Sequence, residues 1–539
     1  MKKIFFLFLF VGCNYSSNTI QDSSNNYDDL IDLFKEWREF ETPPLLYGAP
    51  DYTDKRFNND QKKYKELRNS LDQFEIDDWS ISNQIDWHII RAEMNGYDFN
   101  FRVLMPWKRD PAFYQTIWMR QSDVPAHEGP TNHALLEYWQ YSVPLKGREK
   151  DDFIRDLRVI PSLLEQARIN LTGNARDLWV AGIRDIEDQG KNLKSIEKTL
   201  LKHHNQQSDI PLFDAMTKAR VATADFVAWL KDEAPSKTGP SGIGKENYSW
   251  YQKNVHLVPL TWEEEVQLLE RELYRAWSFL KLEEHRNRNL PQLQAANSPE
   301  EFAELTDKAV KKMMKFLEEE DIMYIKPNME QALREHMGKY VPSENRNFFS
   351  IGLHFDPLPL YSHFYHWFDL AEIRDNPHTN PIRRLAPLYN IYDSKSEGIA
   401  TAVEEMFLHA GLYDDNPRSR EIVWIMLAQR AARGLGSLYA HANMMTMEEA
   451  SQVHVKWTPR NWMEREPELL RFEQHLYLRQ PGYGTCYITG KYLIEKLMTE
   501  YGEKLETEGS EFVLKDFLNI YNNAGSIPVE LIRYEMVGN

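Results

Sequence analysis

Two histidines one helical turn apart, His363 and His366 in the run Tyr361-Ser-His-Phe-Tyr-His-Trp-Phe-Asp369, carry the clearest potential for chemistry in this chain. Residues three and four apart share a helix face, so two imidazoles could converge on one ion, with Asp369 a further turn along. The preceding Asp356-Pro357-Leu358-Pro359 disfavours helix and predicts a helical start near Leu360. Downstream, the run from Ser396 to Phe407 reads as another helix, ended by Gly411, with Glu397 and Glu404 two turns apart on one face. One carboxylate can meet a metal. The other can accept a hydrogen bond from a ligating imidazole and so fix its tautomer. Two histidines and a carboxylate with an open fourth position form a known catalytic zinc set. The same spacing also suits hydrogen-bonded core histidines, because His-x-x-His is common.

The elements that must position these residues read as mainly α. From Asp28 onward apolar residues recur at helical spacing, as in Leu30, Leu33, Phe34 and Trp37. Thr261 with Glu264 makes a capping box, and the helix it opens puts Val266, Leu269, Leu273, Trp277 and Leu280 on one core-facing stripe. Ser298-Pro299 with Glu301, and Thr446 with Glu449, repeat the start signal. Alternation at Phe99, Phe101 and Val103, within Asp98 to Met105, predicts a short strand, and a second is expected around Tyr487. The Pro-, Gly- and Ser-rich stretch Asp232 to Gly244 marks an internal boundary, giving a helical N-terminal region, 29–240, and a helical C-terminal region, 241–539. No fixed-period repeat is evident.

A chain of 539 residues, 42% hydrophobic and 13% aromatic, can bury a large core and belongs with globular proteins. Its net charge of −18 argues against a nucleic-acid partner, since affinity for phosphate backbones rests on Lys and Arg. Lys2 and Lys3 precede an apolar run, Ile4 to Val11, too short to span a bilayer, which is the layout of a secretory signal. The run ends Leu-Phe-Val-Gly-Cys13, which resembles a bacterial lipobox. Residues 1–13 then read as a lipoprotein signal peptide, and the polar 14–28 as a flexible tether. Membrane association is expected only through the lipid on Cys13, placing the protein in the cell envelope. The other cysteine, Cys486, then has no partner for an intrachain disulfide.

The stretch EGIATAVEEMFLHAGLY, from Glu397, resembles the Glu-Gly-Trp-Ala-Leu-Tyr-Ala-Glu segment of a large bacterial family of unassigned function placed among zincin-like metallopeptidases. RGLGSLYAH, Arg433 to His441, and RQPGYGTCYITGK, Arg479 to Lys491, resemble two further signatures of that family, and the likeness extends from Gly242 to the C-terminus. RAEMNGYDFNFRVLMPWKRDPAFY, from Arg91, and VHLVPLTWEEE, from Val255, resemble marks of a divergent subgroup. The resemblance implies a multi-helical zincin-like assembly with an internal cleft and few short strands. The family's first motif, His-Glu-x-x-Pro-Gly-His, is altered here. Its last His is His366, its first is Leu360, its Glu is Tyr361, and an Asp of the Arg-to-His segment is Ser437. Tyr361 thus stands where the general base for a metal-activated water would be.

The reading that follows is a zinc-dependent, peptidase-type hydrolase. His363, His366 and Glu397 hold the ion, and Glu404 or Asp369 is the base. The resemblance puts Tyr487 and His441 across the cleft as donors to an oxyanion, and Arg433 is suited to a substrate carboxylate. His354 is an alternative ligand, and a site with no metal is a further outcome. Arg433 could equally sit in a structural ion pair, His441 cap a helix and Tyr487 fill the core. The competing reading is a catalytically degenerate lipoprotein that holds a small peptide or glycan in the cleft.

Overall fold

The computed structural model describes residues 26–464 and 467–538, so the signal and Cys13 lie outside the described residues. The architecture is mainly α. The strands among the described residues are two short pairs: Leu45–Leu46 with Ala49–Pro50, antiparallel, and Ile117–Trp118 with Leu136–Glu137, parallel. No described helix is long and apolar enough to cross a membrane.

The local signals act as their chemistry dictates. Asn26 caps Tyr27–Glu41, which buries Leu30, Leu33, Phe34 and Trp37. The Thr261–Glu264 capping box opens Trp262–Arg286. Leu269, Leu273 and Leu280 of its stripe are buried, and Val266 and Trp277 pack against the same core. Ser298 and Thr446 cap Pro299–Glu319 and Met447–Trp457.

Both expected strands are helical instead. Phe99 ends the helix Ile81–Phe99, and Asn100–Leu104 continues it as a wider π turn closed by left-handed Met105 before Pro106. The apparent alternation reflects that change of pitch. Tyr487 lies inside the helix Tyr483–Thr507, which left-handed Gly482 starts. Tyr483 and Tyr487 are therefore four apart on one face rather than alternating across a sheet.

Apolar packing forms two main cores. The larger takes residues from Leu30 to Leu104 and from Ile243 onward. The smaller fills the space among Gly147–Asn170, Arg176–Leu200 and Ile210–Glu233, with contributions from Ala49 onward. The stretch 232–244 is irregular beyond its first turns, and its glycines are tied to the end of Ser419–His441: Gly242 N–H donates to Asn443 Oδ1 and Gly244 N–H to His441 O.

Within the larger core, Asp393–His409 crosses Tyr483–Thr507 closely, with Leu358–His363 packed alongside. The crossing depends on two glycines. A Cβ on Gly398 would meet Gly490 Cα at 2.7 Å, so only bare backbones allow the approach. Because Glu397 immediately precedes Gly398, this contact carries its carboxylate to the tyrosines of the partner helix.

Candidate metal centre

His363 and His366 do not share one helix starting near Leu360. Leu358–His363 ends at His363, Phe364 leaves helical geometry, and Tyr365–Asp375 starts afresh. Pro359 is tolerated because it occupies the first turn, where its missing N–H has no intrahelical acceptor. The imidazole centroids are still 5.0 Å apart and nearly perpendicular, at 85°.

Opposite them stands Glu397. Its Oε2 is 3.0 Å from His366 Nε2 and 3.8 Å from His363 Nε2. One ligand atom from each of His363, His366 and Glu397 lies within 4.8 Å of the others, and all three residues are buried. Donors around a tetrahedral zinc stand about 3.4 Å apart, given bonds of about 2.0 to 2.2 Å. The set therefore fits such an ion once its widest separation closes by up to about 1.4 Å.

Each member is held from behind. His363 Nδ1 is 3.0 Å from Glu404 Oε1, and the Arg430 guanidinium binds Glu404 Oε2 at 2.5 Å while approaching the same Nδ1 at 3.1 Å. Glu404 thus sits behind a histidine, where it orients the ring, and does not face the space between the ligand atoms. His366 Nδ1 is 3.4 Å from Ser396 Oγ. The other oxygen of Glu397, Oε1, accepts from Tyr483 at 2.6 Å and Tyr487 at 2.8 Å.

The electrostatics separate the two imidazoles. Burial and then the Arg430 charge lower the His363 pKa and favour neutral imidazole. Burial also opposes charge on His366, but Glu397 outweighs it and pushes the ring up to about 9. Glu397 is correspondingly held below the usual carboxylate range, because His366, His363 and the Tyr483 hydrogen bond overcome its burial. Burial and neighbouring carboxylates keep Tyr483 and Tyr487 protonated as donors.

The remaining expected site residues have other partners. Tyr487 reaches the centre, but its hydroxyl is committed to Glu397. Arg433 stacks on the Tyr487 ring, 3.9 Å from its centroid, and pairs with Glu473 at 2.8 Å. His441 bonds Tyr477 O at 2.8 Å and packs near Tyr248, so it is not brought to the three ligands. Asp369 is clamped by Lys395, at 2.8 and 2.9 Å. His354 spends both nitrogens on backbone, Ser350 O and Val341 N–H, so it does not swing towards the ion site. Tyr361 is buried and donates to Met337 O.

Three neighbours were not foreseen. Arg430 sits one turn before Arg433 on Ser419–His441, and Tyr483 one turn before Tyr487; helical spacing could have found both. Glu128 comes from the irregular stretch between Trp118 and Leu136, and its Oε1 lies 2.5 Å from the Tyr483 hydroxyl. Its sequence signal is the His127-Glu128 pair beside Gly129-Pro130, which no helical pattern frames. This stretch is tied down where Gly129 N–H donates to Gln480 Oε1 at 2.7 Å and Asn390 Nδ2 donates to His127 O and Gly129 O, each at 3.3 Å.

No protein-family model matches the chain, and no curated protein matches it. Solved structures do. A protein of Shewanella oneidensis designated a lipoprotein of unknown function is 15% identical, with a TM-score of 0.66 over 94% of this chain and 97% of that one. A designated lipoprotein from Colwellia psychrerythraea is 14% identical, with a TM-score of 0.67 over 95% and 97%. At this identity the likeness is one of fold, and it spans nearly the whole of both chains.

Proposed function

We propose that this protein is a metal-dependent hydrolase of the peptidase type, anchored by lipid in the cell envelope. The observation that carries the reading is the buried meeting of His363, His366 and Glu397, with ligand atoms within 4.8 Å of one another. The motif resemblance to zincin-like metallopeptidases, from Glu397 onward, supports the same class. When bound, zinc would supply Lewis acidity towards a carbonyl oxygen and an activated water. The protein's own groups do the rest: Glu404 and Arg430 orient His363, Ser396 steadies His366, and Tyr483 and Tyr487 fix the Glu397 carboxylate. Purified protein should carry one zinc per chain by elemental analysis, and His366→Ala should lose it; a folded wild type that takes up no zinc would remove the hydrolase reading.

A second reading, a binding lipoprotein that holds peptides or glycans without turnover, is favoured by Tyr361 standing where the family's base would be. Ligand-induced thermal stabilisation with no product by mass spectrometry would select it. The anchor rests on the lipobox-like end at Cys13 and on the lipoprotein designations of both structural neighbours. Cys13→Ser should move the protein from the membrane to the soluble fraction, and unchanged fractionation would refute the anchor.

A further inference from the structure

The signature that runs from Arg479 to Lys491 opens on a buried cation with one end left over. Arg479 is only 8% exposed, and its Nε donates to Asp110 Oδ2 at 2.6 Å. A Cβ built on Gly129 would stand 3.4 Å from both Cζ and Nη1 and 3.6 Å from Nη2, so Gly129 lies over the flat face of the guanidinium. At φ +102° Gly129 holds a left-handed conformation that favours glycine, and no side chain extends across that face. With one edge on Asp110 and one face under Gly129, the end that carries Nη1 and Nη2 remains. Among the described residues Arg479 makes its hydrogen bond through Nε alone, although side chains this buried ordinarily have their donors satisfied.

That end lines a pocket of ≈ 630 Å³, measured out to its mouth, within the usual size of a small-molecule site. Leu135, Pro387 and Leu388 give it apolar walls, and Trp118 lies against His127 with ring centroids 4.8 Å apart. The loop that carries Gly129 is fixed to the residue after Arg479, because Gly129 N–H donates to Gln480 Oε1 at 2.7 Å. Guanidinium and pocket wall are thus set relative to each other before anything binds, which lowers the cost of binding. None of His363, His366 and Glu397 lines this pocket.

The free end selects the ligand's charge and shape. Two parallel N–H groups match the two oxygens of a carboxylate. A dianionic phosphate would bring a second negative charge towards Asp110 and Glu128, which already stand at the guanidinium and in the lining.

We propose that this pocket binds a small monocarboxylate with an apolar body, its oxygens on Arg479 Nη1 and Nη2 and its body against Leu135, Pro387 and Leu388. The carboxylate-binding role that the sequence suggests for Arg433 passes to Arg479, since Arg433 is committed to Glu473 and the Tyr487 ring. The site needs neither zinc nor turnover, so its failure and that of the hydrolase reading are separate events.

Calorimetric titration of the purified protein with N-acetyl-leucine, in the presence of a chelator, tests it. One molecule should bind per chain. N-acetyl-leucinamide, which lacks the carboxylate, should bind about tenfold more weakly or worse, the range of a charge-assisted hydrogen bond. Arg479→Lys, which keeps a cation beside Asp110 but loses the fork, should show a similar loss. Leu135→Trp, which fills the pocket and leaves Arg479 in place, should abolish binding while circular dichroism stays native. His366→Ala should bind as the wild type does, and inorganic phosphate should not compete. The proposal is overturned by an absence of saturable binding up to about 10 mM N-acetyl-leucine, by equal affinity for the amide, or by full affinity in Arg479→Lys or Leu135→Trp. Loss of binding in His366→Ala would move the carboxylate to the ion site, and competition by phosphate would make the site a general anion site; either result equally contradicts it.

Discussion

At the scale of single residues, the centre is defined by what each side chain is prevented from doing. Glu404 is the clearest case. Its carboxylate is held between Arg430 and His363 Nδ1, which leaves His363 Nε2 as the atom able to face an ion. Groups in that position commonly change metal affinity by about 10- to 100-fold. Glu404→Gln is therefore expected to weaken zinc binding by that range in a competition titration with a chelator, while circular dichroism stays native; an unchanged affinity would mean that Glu404 serves only the fold. The three side chains that meet were named in the sequence by residue type and proximity, but the single helix their spacing predicts is broken at Phe364, so a shared face is not what brings the imidazoles together. The roles of Asp369, His354 and His441 were not legible, since each depends on partners distant in the chain: Lys395, the Val341 backbone and the Tyr477 carbonyl.

Among the elements, the crossing of Asp393–His409 with Tyr483–Thr507 decides whether Glu397 meets its tyrosines. Gly490 lies against Ser394 O and Gly398, with 2.7 Å from its would-be Cβ to Gly398 Cα. Gly490→Ala should force the helices apart and cost about 1–3 kcal/mol, the usual penalty of overpacking. Urea unfolding would read that loss, and zinc affinity should fall with it; a variant of wild-type stability would show that the crossing tolerates a methyl. Helix starts were readable because capping boxes are local chemistry, as at Thr261 and Thr446. The strands expected at Phe99 and Tyr487 failed for the complementary reason. A π turn and a glycine-started aromatic helix both mimic alternation over a few residues, and only longer-range packing distinguishes them.

For the whole molecule, buried neutral histidines set the response to acid. Burial pushes both His256 and His441 down to about 4, from an ordinary 6.5. In the unfolded chain both would take up protons below pH 6.5, which the folded state resists. Stability is therefore whole above that value and is lost as pH falls from 6.5 towards 4, by up to about 3 kcal/mol for each group. Urea midpoints measured at pH 7 and pH 4.5 should show the drop, and His256→Gln should flatten it; a pH-independent midpoint would contradict the burial of these rings. The overall helical character was legible from periodicity. The way residues 30–104 join the C-terminal helices in one core was not, because no local pattern records which distant face a helix will cover.

The centre is one point in space between His363, His366 and Glu397. Anomalous scattering at the zinc edge, from crystals grown with zinc, tests it most directly. The account predicts a single strong peak within bonding distance of His363 Nε2, His366 Nε2 and Glu397. A peak elsewhere, or three unbridged side chains at saturating zinc, would contradict it.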